Sequence, residues 1–259
     1  MSHLLNLNSD LGESFGAWSM GSDEAMLTIV NSANVACGFH AGDPLVMCQT
    51  VASAKANGVS VGAHPGFPDL QGFGRRRMDI PLAELEAMLI YQIGALDACA
   101  RAQGLRVTHV KPHGALSNIA CAQRQVADAV ARAVQRLDPA LTLLAPAASQ
   151  LVYAGRDHGL PVVEEIFADR AYLDDGNLVP RSQPGAMVHG AQASLEHVMR
   201  MVEESALISI NGKRIPVNPQ SICVHGDNAD AVATAQAIRE GLLKAGYKLA
   251  GIPELAQQR

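Results

Sequence analysis

The sequence lacks any stretch near the roughly 18 consecutive apolar residues of a membrane span. Asn6, Asn8 and Asp10 interrupt the leucines near its start, so no secretory apolar region is expected and a cytoplasmic location is. Basic charge is scarce: 20 Lys and Arg stand against 25 Asp and Glu, for a net charge of −5, and no basic run exceeds Arg75-Arg76-Arg77. Aromatics make up only 4%. A nucleic-acid partner, which needs a cationic face or stacking rings, is excluded on both counts. The cysteines are few and odd in number (Cys37, Cys48, Cys99, Cys121 and Cys223), with no CxxC pair, which points to free thiols in a reduced compartment. There is no HExxH metal motif and no GxxxxGK[ST] phosphate loop.

What is present is a long, apolar chain. Its 259 residues are 48% hydrophobic and 17% charged, enough for one α/β barrel of roughly 250 residues. Short apolar runs alternate with helical patterns. Strands are expected at 4–8, 34–39, 59–63, 106–111, 141–144, 161–167 and 221–224. Helices are expected at 23–32 (capped by Ser22), 44–57 (capped by Asp43), 81–104, 123–137, 149–158, 191–206 and 229–245. A hairpin at 207–217 turns at Asn211-Gly212. Seven βα units in one domain, 1–259, predict a parallel sheet, and this length favours a closed seven-stranded, TIM-like (β/α) barrel over an open doubly wound sheet. The two long irregular segments, 64–80 and 168–189, are expected to wall a site.

The ionisable residues follow the strands. Asp10 and Glu13 come after the first, His40 and Asp43 after the second, and His64 after the third. Lys111 and His113 close the fourth, Asp169 and Arg170 follow the sixth, and His225 and Asp227 follow the seventh. In a βα barrel these ends share one rim, so residues distant in sequence converge there. Asp10, His40, His64, His113 and His225 are the residue types of a divalent-metal site. A metal-free reading instead makes a carboxylate the base that activates water, His113 the acid and Lys111 the oxyanion stabiliser. Lys111, Arg170 and Arg181 are suited to a substrate carboxylate or phosphate, and 75–77 is either a further anion clamp or a solvated surface run. Gly12-Glu13-Ser14-Phe15-Gly16 matches GxSxG, but the next helix starts too late for Ser14 to sit on a nucleophile elbow.

Six separated segments carry a resemblance over nearly the whole chain: NLNSDLGE (6–13), CGFHAGDP (37–44), GAHPGFPD (62–69), KPHGAL (111–116), FADRAY (167–172) and LVPR (178–181). In this order they resemble the LamB/YcsF lactam-utilisation family, whose characterised role is the A subunit of a prokaryotic ATP-hydrolysing 5-oxoprolinase. The resemblance implies a barrel of the glycoside hydrolase/deacetylase superfamily type. It also implies conversion of 5-oxo-L-proline, ATP and water to L-glutamate, ADP and phosphate, with B and C subunits as partners and ATP as co-substrate. Catalytic roles then fall to Asp10, Glu13, Lys111, His113 and Asp169, and substrate contacts to His40, Arg170, Arg181, His225 and Asp227. By superfamily analogy a divalent metal would sit on Asp10, His64 and His113. Two positions depart from the family's usual pattern: Asn6 stands where it has Asp, and Ser117 where it has Tyr. A stand-alone metal-dependent deacetylase or amidohydrolase, and a non-catalytic lactam-binding subunit, are the competing readings.

Overall fold

The computed structural model describes residues 4–225 and 230–257. Seven parallel strands close into a barrel: β1 (Leu4–Leu11), β2 (Ser32–Ala36), β3 (Ser60–His64), β4 (His109–Val110), β5 (Thr142–Pro146), β6 (Val162–Phe167) and β9 (Ser221–Cys223). Closure is made by β1, which pairs with β2 through Asn8–Leu11 and with β9 through Asn6–Asn8. The hairpin β7 (Ala206–Ile208) and β8 (Arg214–Pro216) forms a separate antiparallel pair, and β10 (Lys248–Leu249) adds to the start of β1.

The helices are α1 (Asp23–Leu27), α2 (Pro44–Ala56), α3 (Leu82–Ala102), α4 (Gly114–Ala122), α5 (Arg124–Leu137), α6 (Gln150–Asp157), α7 (Ala191–Glu204), α8 (Ala231–Lys244) and α9 (Ile252–Ala256). Asp43 caps α2 as expected, accepting from the Leu45 and Val46 amides. Ser22 precedes α1 but makes no side-chain cap bond, and α1 is only five residues long. Three elements were not expected: α4, α9 and β10. The fourth strand is shorter than 106–111, although the Lys111 amide still pairs with the Ala63 carbonyl at 2.9 Å. No helix among the described residues is long and apolar enough to cross a membrane.

Strand alternation divides the barrel by face. On β1, Leu5, Leu7 and Leu11 join the large core under the helices, while Asn6, Asn8 and Asp10 point into the lumen. The lumen is layered along its axis. At the base, Ile252 and Leu255 of α9 pack with Leu144 and Val163 in a small apolar cluster of their own. Above it, Asn6 donates to Ser32 Oγ (2.8 Å) and to the Ala250 carbonyl (2.7 Å), and Ser221 bridges Asn6 and Asn8. The top layer carries charge and opens to solvent.

Candidate active site

Lys111 is the centre of the charged layer. Its ammonium lies 2.8 Å from Glu165 Oε1, 3.0 Å from Asp10 Oδ1 and 3.1 Å from Cys223 Sγ. Burial alone would lower the Lys111 pKa; the Asp10 carboxylate, with Glu165, outweighs it and holds the ammonium charged. Burial would likewise raise Asp10, but His64 and Lys111 pull it well below the usual carboxylate range. Glu165 ends on the other side: burial pushes it up and Lys111 only partly offsets this. One ammonium cannot fully compensate two buried carboxylates, and Asp10 has the additional donor Asn34 Nδ2 at 2.9 Å. Asn34 is itself oriented by Asn8 and by His109, whose pKa burial lowers to about 3.

Beside this layer stands a group of imidazoles. His64 Nδ1 lies 2.7 Å from the Lys111 carbonyl, and His113 Nε2 lies 2.7 Å from the Phe73 carbonyl. The free edges of the two rings face each other, His113 Nδ1 to His64 Nε2 at 2.9 Å. His40 stacks on His113 with centroids 3.7 Å apart, and Glu13 Oε1 reaches 3.6 Å from His40 Nε2 and 3.9 Å from His113 Nδ1. The backbone makes room for this crowding. Gly74 has φ +62, and a Cβ there would stand 2.7 Å from His40 Cβ and 2.8 Å from His113 Cδ2. Neighbouring Phe73 also has a positive φ, 53°, which turns its carbonyl towards His113.

Both groups open into a cavity of about 610 Å³, a size suited to a small molecule. Its wall also carries three arginines, Arg75, Arg170 and Arg181. Arg170 is buried. Its Nη2 donates to the Val179 carbonyl at 2.7 Å, and its Nε has no hydrogen-bond partner among the described residues. Burial and the nearby Arg181 lower its pKa. The long segments 64–80 and 168–189 supply much of this wall, as their length predicted. The Arg75–Arg77 run divides: Arg75 lies over the Phe73 ring at the cavity, while Arg76 pairs with Asp69 and Arg77 with Asp79.

A profile of the LamB/YcsF family matches residues 5–257. The chain belongs to the LamB/YcsF family. It is 54% identical over 253 residues to the 5-oxoprolinase A subunit of Azoarcus sp. (strain BH72), covering 98% of this chain and 99% of that one. It is 52% identical to the second 5-oxoprolinase A subunit of Bradyrhizobium diazoefficiens, covering 95% and 96%. The crystal structure of the lactam utilization protein from Thermus thermophilus superposes with a TM-score of 0.90 at 44% identity, covering 96% of this chain and 99% of that one. The catalytic domain of a peptidoglycan N-acetylglucosamine deacetylase from Eubacterium rectale shares the fold alone, with a TM-score of 0.52 at 11% identity, covering 97% and 89%.

Within this LamB/YcsF barrel the expected site residues fall into three groups. Asp10 joins Lys111; Glu13 and His40 join His64 and His113; Asp169 joins His225, Nδ1 to Oδ2 at 2.8 Å. Arg170 and Arg181 line the cavity, as does Ser117, whereas Asn6 lies deeper, in the polar layer. Asp10 is in β1 and not beyond it, because the strand continues past Asn8 to Leu11. Asp227 lies outside the described residues. Ser14 Oγ is occupied by the Met20 amide at 2.9 Å in an exposed loop, so no elbow forms. Glu165 was not expected. Its signal was a pair of acids, Glu164-Glu165, inside an apolar strand: Glu164 turns outward to Arg156 at 2.6 Å, so its neighbour must turn inward.

Two sets of these residues bring metal-ligating atoms together: Glu13, His40, His64 and His113; and Asp10, Cys223 and His225. The second already contains a cation, the Lys111 ammonium, in contact with Asp10 and Cys223.

Proposed function

We propose that this chain binds 5-oxo-L-proline in the barrel cavity and is the lactam-holding subunit of an ATP-coupled 5-oxoprolinase that produces L-glutamate. The observation that carries the reading is the group of three guanidinium side chains, Arg75, Arg170 and Arg181, on the cavity wall. Guanidinium groups pair well with carboxylates, and 5-oxoproline is a small lactam bearing one carboxylate. Arg170, with Arg181 and Arg75 beside it, receives that carboxylate, which turns the amide towards Lys111 and Asp10. The names carried by the relatives, 5-oxoprolinase A subunit and lactam utilization protein, support the same substrate class.

A five-membered lactam is a resonance-stabilised amide, and water alone opens it slowly. Transfer of a phosphoryl group from ATP to the amide oxygen creates a better electrophile. Attack by water and cleavage of the C–N bond then give an acyl phosphate of glutamate, whose hydrolysis releases phosphate. In this scheme Asp10, held ionised, orients the attacking water and accepts its proton, while Lys111 stabilises charge on the phosphoryl oxygens. His113 is given no acid role in this scheme, because burial, with His64 beside it, lowers its pKa to about 3. The sequence contains no Walker-type loop, so the partner B and C subunits are assigned the ATP-binding half.

The histidine cluster favours one second reading, a metal-dependent amide hydrolase acting alone. Incubating this chain with and without its B and C partners, 5-oxoproline and ATP, and measuring glutamate and phosphate, separates the two. Glutamate formed only in the full mixture supports the first. Hydrolysis of simple amides or N-acetyl groups by the chain alone, abolished by chelation, replaces it with the second. Binding of 5-oxoproline without turnover in the full mixture would leave a non-catalytic carrier.

A further inference from the structure

The tertiary contacts of His64 and His113 dictate where their protons are. A backbone carbonyl only accepts hydrogen bonds. The Lys111 carbonyl 2.7 Å from His64 Nδ1 therefore requires a proton on Nδ1, and the Phe73 carbonyl 2.7 Å from His113 Nε2 requires one there. In the neutral rings the remaining nitrogens, His64 Nε2 and His113 Nδ1, are bare lone pairs, and they face each other across 2.9 Å. Two lone pairs at that distance repel unless a proton or a metal ion lies between or beside them. His40 adds a third imidazole: it is 1% exposed, stacked on His113, and neither of its nitrogens has a hydrogen-bond partner among the described residues. Glu13 adds an anionic oxygen on the same side.

We propose that Glu13, His40, His64 and His113 form a binding site for one divalent transition-metal ion of the zinc class. The four ligand atoms lie within 4.8 Å of one another, and three imidazoles with one carboxylate form a ligand set suited to Zn²⁺ rather than to Mg²⁺ or Ca²⁺, which prefer all-oxygen shells. The two carbonyl acceptors behind His64 and His113 are the partners that ligating histidines use to fix their tautomer and aim the other nitrogen. Gly74 provides the space, since any Cβ there would press on both His40 and His113. The site differs from the Asp10, His64, His113 set that superfamily analogy implies. Asp10 gives Oδ1 to Lys111 and Asn34, while its Oδ2 lies 3.4 Å from His64 Nε2, at the margin of the group. The proposal does not depend on the lactam reading; it concerns binding of an ion and is tested without substrate.

The test is metal binding by the purified full chain. Elemental analysis after purification without added metal, followed by chelation and titration with Co²⁺, reports stoichiometry directly. The visible absorption of the Co²⁺ form reports the ligand geometry. One ion per chain is expected, with visible bands of a four- or five-coordinate site and a rise in thermal midpoint on binding. His40→Ala and the milder His40→Gln should each weaken Co²⁺ binding by more than the roughly 10–100-fold that loss of a ligand's hydrogen-bond partner costs. Asp10→Asn should leave binding within that range. Circular dichroism of each metal-free variant establishes that it is folded before titration. Absence of stoichiometric binding by the folded wild-type chain overturns the site. So does retained affinity in folded His40→Gln together with loss in Asp10→Asn, which would move the ion to Asp10, His64 and His113. Failure of 5-oxoproline turnover alone bears only on the proposed function.

Discussion

The Glu165 carboxylate meets the Lys111 ammonium at 2.8 Å inside the barrel, where Glu165 is fully buried and the Lys111 side chain is 4% exposed. Because Asp10 shares the same ammonium, removing the lysine strands two buried carboxylates, whereas neutralising Glu165 leaves the Asp10–Lys111 pair intact. Lys111→Met is expected to lose about 3–5 kcal/mol of stability at neutral pH, the scale for breaking a buried ion pair from one side. Glu165→Gln should lose much less. Urea denaturation of both variants measures the difference, and equal losses would contradict the shared-ammonium arrangement.

Arg170 is assigned to the substrate carboxylate. Removing a charged hydrogen-bond donor costs about 1.5–3 kcal/mol, so Arg170→Ala should weaken 5-oxoproline binding by roughly 10- to 100-fold. Calorimetry with 2-pyrrolidinone, which has the lactam ring without the carboxylate, provides the contrast: its affinity should barely change. A parallel loss for both ligands would mean that Arg170 acts through the Val179 carbonyl it holds and not through the substrate.

The His225–Asp169 pair sets a pH window. Burial would lower the His225 pKa, but the Asp169 carboxylate and, further off, Asp10 raise it above the usual value against the opposing charge of Lys111. For Asp169, burial is outweighed by His225, with Arg181 and Arg170 also lowering it. The histidine's contribution is therefore complete below its unfolded pKa of about 6.5 and is lost as pH rises through the higher folded value; the aspartate's is complete above about 3.9 and is lost as pH falls through the lower one. The stability gap between wild type and Asp169→Asn should be widest near pH 5–6, between those limits, and should shrink on the alkaline side. A gap unchanged from pH 6 to pH 9 would show that His225 does not carry the charge.

Gly74 and Gly58 separate steric cost from backbone strain. Both have positive φ, +62 and +67, but a Cβ on Gly58 meets nothing within 4 Å, whereas one on Gly74 presses on His40 and His113. Each Gly→Ala change should cost at least about 1 kcal/mol for its backbone conformation. Gly74→Ala should cost clearly more, as read from thermal or urea midpoints. Equal costs would mean that the imidazoles yield easily.

Much of the rim was legible because βα alternation and polar strand ends are local patterns. The segment 168–189 reads as a wall from its length alone, and Asp43 reads as a cap from Asp43-Pro44. Glu165 was missed because an acidic pair in an apolar strand does not reveal which member faces inward; barrel closure decides that. The base of the barrel was missed for a related reason. Ile252 and Leu255 of α9 occupy only a five-residue helix, too short for periodicity to register, and its role comes from plugging a lumen that exists only once β1 has paired with β9. α4 escaped notice because it starts at Gly114 with no side-chain cap and runs almost directly into α5.

By itself the sequence determined the α/β alternation, the placing of polar residues at the strand ends and the resemblance to the LamB/YcsF family, since each depends on residue order and spacing along one segment. Only the tertiary structure decided who meets whom. Lys111 is shared between Asp10 on β1 and Glu165 on β6, and His64 and His113 turn bare nitrogens towards each other beside His40 and Glu13. Those relationships depend on strand register and on which carbonyl each ring can reach, and both are set by closing the barrel.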